Sequence, residues 1–237
     1  MCGRYTLKTP AAALVEHFAV DPHAIGQLTL FGPRYNVAPT QAVPVIRLHA
    51  ADQAAPRRTL DWLRWGFVPS WSKQPPTGRP LINARSESVA DKPSFRTAFR
   101  RRRCLVPADG FYEWRTEGRH KQPFYIRRPD GRPFAFAGIW EAWRGDDGAP
   151  LESFAILTTR ANRLMADLHD RMPVILAPND YAAWLEPGED EARQAELLRL
   201  CEPAPDDELV ADPVSPRVNK PQYDDPQCIA LQRDLFE

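Results

Sequence analysis

Residues Met1-Cys2 carry the sharpest chemical signal in this 237-residue chain. Cysteine is small enough that an initiator methionine in front of it is normally removed. The processed chain would then begin with Cys2, carrying an α-amine and a thiol on adjacent carbons. No internal residue offers that pair, because an internal nitrogen is an amide. An α-amine titrates near ~7.7–8.0 and a cysteine thiol near ~8.5, so both nucleophilic forms are available near neutrality. Such a pair meeting an aldehyde forms an imine first, and the sulfur then closes a five-membered thiazolidine. The competing reading is a buried, inert cysteine that happens to stand second.

Chemistry of this kind needs a scaffold that holds a chain end still. The chain is 43% hydrophobic, enough for a core, and its length allows one large domain or two small ones. It holds 25 prolines, about twice the usual share of ~5%, against only 12 glycines. That balance predicts short strands joined by rigid turns rather than long helices. A helix is expected from Pro10 to about Phe18, capped by Thr9. Strands are expected at Val43–Leu48, Leu60–Trp65, Cys104–Val106, Gly110–Arg115, Phe124–Arg127, Phe134–Trp140, Ser153–Thr158 and Val174–Leu176. Short helices are expected near Ser94–Arg101, Ala161–Leu168, Tyr181–Leu185 and Glu191–Leu200. Loops are expected at Asp21–Pro33 and Pro69–Pro80. The pattern predicts an α+β fold, a single domain over 1–237 built on a curved, barrel-like, mostly antiparallel sheet. An irregular C-terminal segment from about 203 to 237 packs on it, with one strand near Leu209–Asp212.

Basic and acidic residues balance at 31 each, which argues against a protein coated for nonspecific nucleic-acid binding. Their distribution is uneven. Lys92, Arg96 and Arg100-Arg101-Arg102-Arg103 form a basic run, and Glu186–Asp212 is rich in acids. The run reads either as a local nucleic-acid patch or as a solvated face. Cys2, Cys104, Cys201 and Cys228 are far apart, with no CxxC pair and no zinc-ligand spacing. No metal or organic cofactor is expected. There is no signal peptide and no apolar run of about 20 residues, so a reduced, cytoplasmic protein is expected, without membrane contact.

Six short motifs stand in order along the chain: Cys2-Gly3-Arg4, Asn36-Val37-Ala38-Pro39, Trp65-Gly66, Asn83-Ala84-Arg85-Ser86-Glu87, Gly110-Phe111-Tyr112-Glu113-Trp114 and His169-Asp170-Arg171-Met172-Pro173. Together they resemble the SOS-response-associated peptidase (SRAP) domain, a family also described as abasic-site processing proteins. The resemblance covers nearly the whole chain. It implies a single-domain, monomeric protein that binds single-stranded DNA and attaches covalently to abasic sites through its N-terminal cysteine. When bound to DNA it would be associated with the nucleoid. "Peptidase" would then describe self-removal of residues ahead of Cys2, or slow self-release of the crosslink, rather than general proteolysis.

The residues suit those tasks. Opening the deoxyribose, forming the imine and closing the ring all move protons. In a strand, Glu113 points away from Tyr112 and Trp114, so it can face a cleft while the aromatics pack. The competing reading is a surface glutamate, and the resemblance favours the catalytic one. His169 suits proton shuttling to the sugar oxygen; the resemblance singles it out from His17, His23, His49 and His120. It also brings Asn83 into the site, where an amide can hold the Cys2 backbone or a sugar hydroxyl. Arg4, Arg85 and Arg171 are candidates for phosphate contacts. Trp71 could stack on an unpaired base or belong to the core, and Pro39 and Thr40 are expected along the same groove. Three rivals remain at this point. One is a thiol hydrolase using the Cys2 amine as base. Another is a noncovalent reader of modified bases. The third is a lyase that cuts the strand by β-elimination from the imine.

Overall fold

The structure, a computed structural model, describes residues 2–25, 32–49, 56–74, 78–118, 120–145, 148 and 150–232. Thirteen strands dominate it. Five of them are β3 (Ala42–His49), β4 (Arg57–Trp65), β6 (Arg103–Ala108), β9 (Phe134–Arg144) and β10 (Pro150–Arg160). Their pairings run β10–β4–β3–β6–β9 and return to β10, closing a ring. Closure removes the sheet edges that an open sheet must otherwise protect. From these strands Ile46, Leu60, Leu105, Phe136, Ile139 and Phe154 are all buried in one core cluster. Most pairs are antiparallel; β4 runs parallel to β10, as does β5 (Asn83–Arg85). Strands β11 (Arg171–Pro173) and β12 (Ile175–Leu176) attach to β10 and β9. The expected barrel-like α+β architecture is therefore what the chain adopts.

A second, antiparallel sheet has the order β13–β8–β7–β1–β2. Its strands are β1 (Tyr5–Leu7), β2 (Arg34–Val37), β7 (Gly110–Glu117), β8 (His120–Arg127) and β13 (Val210–Pro213). Alternation along β7 splits its side chains. Phe111 joins the main core with Phe124 and Ile126. Tyr112 packs on the other face with Tyr125, Val214, Val218 and Cys228. The C-terminal segment thus supplies the cover for the outer face. Gly110 is required here, because a Cβ would lie 2.4 Å from the Tyr125 ring, whose hydroxyl is 2.9 Å from Thr6 Oγ1.

Buried Asn36 ties this segment down. Its Nδ2 donates to the carbonyls of Val218, Lys220 and Tyr223, the last at 2.7 Å, and its Oδ1 accepts from Arg4 Nη1 at 3.0 Å. Asp224 completes the knot. Its carboxylate accepts from the backbone N–H groups of Tyr35 and Asn36 and from Arg34 Nε.

The helices are short, as expected: α1 (Ala11–His17), α2 (Ser86–Val89), α3 (Arg96–Arg101), α4 (Arg163–Ala166), α5 (Tyr181–Leu185) and α6 (Glu191–Arg199). Thr9 does not cap α1. Pro10 holds the cap position without a side-chain bond, and Thr9 instead gives its N–H and hydroxyl to the buried Asp109 carboxylate. A buried charged acceptor outcompetes an exposed helix end for that hydroxyl. Residues 34–37 pair as β2, and the turn that follows holds Thr40 at φ 72°. Part of the Asp21–Pro33 and Pro69–Pro80 loops lies outside the described residues.

The arginines at the end of the basic run are engaged within the fold, while Lys92 and Arg96 are exposed. Arg103, 4% exposed, donates to the carbonyls of Phe99, Trp184 and Glu186, and burial beside Arg193 pushes its pKa down to about 10. Arg102 pairs with Glu141 at 2.7 Å and Arg101 with Glu189 at 2.8 Å. The acidic stretch answers basic residues elsewhere too: Glu202 pairs with Arg160, Glu208 with Arg128, and Asp212 with Arg127. The uneven charge distribution in the sequence is largely cancelled within the fold.

Asn36→Ala removes four bonds and strands buried carbonyls, so it should destabilise the protein by about 3 kcal/mol in urea unfolding. A loss below ~1 kcal/mol would mean that the tail is held by other contacts.

Candidate active site

Strand β1 delivers Cys2 to the site. It lies between β2 and β7, pairing Tyr5 with Val37 and with Phe111, and the Arg4 carbonyl accepts the Tyr112 N–H at 3.0 Å. The two residues ahead of Arg4 therefore run beside the stretch of β7 that carries Glu113. Cys2 is fully buried and Glu113 is 3% exposed. Burial, and then the negative charge of Glu113, push the Cys2 thiol well above the ordinary cysteine range. The sulfur is thus held protonated, its hydrogen directed to the Arg4 carbonyl at 3.8 Å.

Asn83 fixes the other side. Strand β5 lies parallel to β10, with Asn83 opposite Ile156, and Asn83 Nδ2 donates to the Cys2 carbonyl at 2.9 Å. This is the first of the two roles expected for that amide. A hydrogen bond to the carbonyl fixes the Cys2 backbone and leaves the α-nitrogen and Sγ to point elsewhere.

Glu113 and His169 meet in one cleft of about 420 Å³, lined also by Trp114, Lys121 and Asn219. His169 enters from the turn between α4 and β11, whose start Asn162 caps by accepting the Met165 N–H at 2.9 Å. The Arg171 N–H donates to His169 Nδ1 at 3.0 Å, and Asp170 Oδ1 lies 2.6 Å from the same nitrogen. Trp114 Nε1 donates to Asn219 Oδ1 at 2.7 Å, which fixes the indole on the cleft wall. Lys121, Asp170 and Asn219 were missed by sequence reasoning. Asn219 in particular sits in a tail with no local signal of function.

The arginines divide. Arg85 is exposed and makes no ion pair among the described residues. Arg171 is only 12% exposed; its Nη1 and Nη2 form a bidentate pair with Glu87 at 2.5 and 2.8 Å, and Nη2 also reaches the Thr158 carbonyl. Arg4 is half-buried, with Nη1 committed to Asn36 and to the Val218 carbonyl. Arg85 therefore faces solvent, whereas Arg171 and Arg4 spend donors inside the fold. Trp71 is 65% exposed on a loop anchored by the bond from Trp143 Nε1 to the Ser72 carbonyl. It is not a core aromatic. Pro39 is half-buried and Thr40 exposed in the turn after β2.

A roomier cleft, about 650 Å³, is lined by Val20, Leu48, Arg57, Arg58 and Leu185 among others, and contains none of these residues. Among the described residues, no group of three or more His, Cys, Asp or Glu side chains could hold a metal ion. No helix among them is long and apolar enough to cross a membrane.

A family model described as SOS response associated peptidase (SRAP) matches residues 1–221. The chain is 39% identical over 231 residues to "Abasic site processing protein YoqW" of Bacillus subtilis (strain 168), covering 97% of this chain and 99% of that one. It is 33% identical over 271 residues to "Abasic site processing protein HMCES" of Rattus norvegicus, covering 97% of this chain and 76% of the relative. A crystal structure of a protein from Bacteroides thetaiotaomicron superposes with a TM-score of 0.81 at 27% identity, over 98% of this chain and all of the other. With a family match over nearly its full length and relatives above 30% identity, the chain belongs to the SRAP family.

Proposed function

We propose that this protein processes abasic sites in DNA, as its relatives are named for doing, by forming a covalent bond to them in single-stranded DNA. The reading rests on one observation above all: Cys2 is held by the Asn83 bond beside the buried carboxylate of Glu113. Once Met1 is removed, the Cys2 α-nitrogen is an amine. It adds to C1′ of the ring-opened deoxyribose, and loss of one water gives an imine. The Cys2 Sγ–H then adds across the C=N bond, sulfur to carbon and proton to nitrogen, closing a thiazolidine. One water is the net loss.

The upward shift of the thiol supports this order. A sulfur held as a thiol is a poor first nucleophile, so the amine leads and the sulfur follows. Glu113 takes the proton that the amine sheds on attack, and His169 handles the proton on the sugar oxygen. Asn83 holds the cysteine backbone throughout. Arg85 meets a backbone phosphate and Trp71 stacks on an unpaired base. Arg4 and Arg171 reach the strand only with donors not already committed to the fold, and Pro39 and Thr40 line its path. Autopeptidase and lyase steps use the same groups, since removal of residues ahead of Cys2 exposes the amine and β-elimination starts from the imine.

Wild-type protein incubated with single-stranded DNA carrying one abasic site should give a stable shifted band on a denaturing gel. Cys2→Ala should abolish it. An undiminished band in that variant overturns the proposal. Turnover of small amides with no shifted band would favour an N-terminal thiol hydrolase. Salt-sensitive binding unaffected by Cys2→Ala, without a covalent band, would favour a noncovalent reader. Cys2→Ser keeps the amine and should give strand scission in place of a stable band.

Glu113→Gln should slow crosslinking by about 10²-fold while leaving affinity for DNA unchanged. Equal rates would remove Glu113 from the mechanism. Arg85→Ala should weaken single-strand binding and lower the slope of log affinity against log salt by ~0.7, the share of one phosphate. An unchanged slope would place the strand elsewhere.

A further inference from the structure

His169 Nδ1 faces two groups with opposite demands. The Arg171 backbone N–H, at 3.0 Å, needs a lone pair on that nitrogen. The Asp170 carboxylate, at 2.6 Å, needs a proton there. Nδ1 can satisfy one of them at a time. With the Arg171 bond made, a neutral imidazole carries its hydrogen on Nε2, where it can donate but cannot accept a proton. With the Asp170 bond made, the hydrogen sits on Nδ1 and Nε2 presents a lone pair. The second state is the one a proton shuttle needs.

We propose that Asp170 is a positioning residue that holds the proton on His169 Nδ1, so that Nε2 alternates between proton donor and proton acceptor. This rests on the aldehyde chemistry proposed above. The cycle balances without any further reactant. The imidazolium gives its Nε2 proton to the sugar ring oxygen as the hemiacetal opens, and the neutral ring that remains keeps its Nδ1–H on Asp170. Nε2 then takes up the proton that the C1′ hydroxyl releases as its oxygen becomes the aldehyde carbonyl. Without Asp170, the Arg171 N–H draws the neutral ring into the other tautomer and Nε2 drops out of the cycle.

The surroundings leave this task to Asp170. Of the other charged groups near the imidazole, Glu113 and Lys121 line the cleft with it. The Arg171 guanidinium is committed to Glu87. The Asp170 side chain is 81% exposed, so water screens it and its effect should be moderate.

The test uses the near-isosteric Asp170→Asn, which removes the charge and offers Nδ1–H only a neutral, weaker amide acceptor while adding an NH2 that can donate to a bare Nδ1. In the free protein, the imidazole ¹⁵N shifts of His169 should move toward the pure Nε2–H tautomer. Crosslinking to abasic single-stranded DNA should slow about tenfold with DNA affinity unchanged. Asp170→Glu should recover most of the rate and the wild-type ¹⁵N pattern. Wild-type shifts and wild-type rate in Asp170→Asn would overturn the inference, as would slow crosslinking with unmoved shifts. Should the wild type itself form no crosslink, the proposed function fails. The ¹⁵N shifts then still decide whether Asp170 governs the tautomer.

Discussion

A reactive group near the start of a chain sits where order is hardest to keep, since chain ends fray unless they are tied into a sheet or docked. This fold meets that constraint by placing β1 inside a sheet rather than at its edge. Strand β1 is bonded to β2 on one side and β7 on the other. Asn83, from a different sheet, then holds the Cys2 carbonyl. The cysteine is thus fixed from three directions within two residues of the strand that carries it. The rest of the molecule keeps those three directions in register.

The barrel and the tail divide that work. The closed ring of five strands is a dense apolar body that sets the position of β10, and β10 in turn carries both β5 with Asn83 and β11 behind His169. The second sheet brings Cys2 and Glu113. Its outer face would be open to water without the C-terminal segment, which covers Tyr112 and Tyr125 and is tied by Asn36 and Asp224. Arg4 belongs to the same knot, so the segment that holds the tail also steadies the strand behind Cys2. Residues remote from the chemistry are therefore coupled to it through packing.

Burial shapes the electrostatics in the same economical way. A carboxylate and a thiol enclosed together raise the cost of ionising the sulfur, so burial and then the charge of Glu113 favour the thiol form. The arginines show the opposite face of the argument. Arg103, Arg102 and Arg171 look in sequence like cations available to DNA, yet each is bonded to carbonyls or carboxylates of the fold. Arg85 and Trp71, by contrast, stay exposed.

The long strands and the aromatic alternation of Gly110–Trp114 were legible in the sequence because they are written in local periodicity. Phe111 and Glu113 must face away from Tyr112 and Trp114 in any strand. The short strands at Tyr5–Leu7, Arg34–Val37, Asn83–Arg85 and Arg171–Pro173 were not legible. Three or four residues carry too little pattern, and each exists only because a distant partner strand accepts its hydrogen bonds. Those same short strands carry Asn83, Arg85 and Arg171. Motif order alone named Cys2, Asn83, Glu113 and His169, since residue type limits what chemistry each can do. Only the tertiary structure decided that Asn83 holds Cys2, that Arg171 is spent on Glu87, and that Asn219 and Lys121 border the cleft. Hydrogen bonds between residues some eighty positions apart, and burial itself, depend on chain geometry that no local stretch of sequence contains.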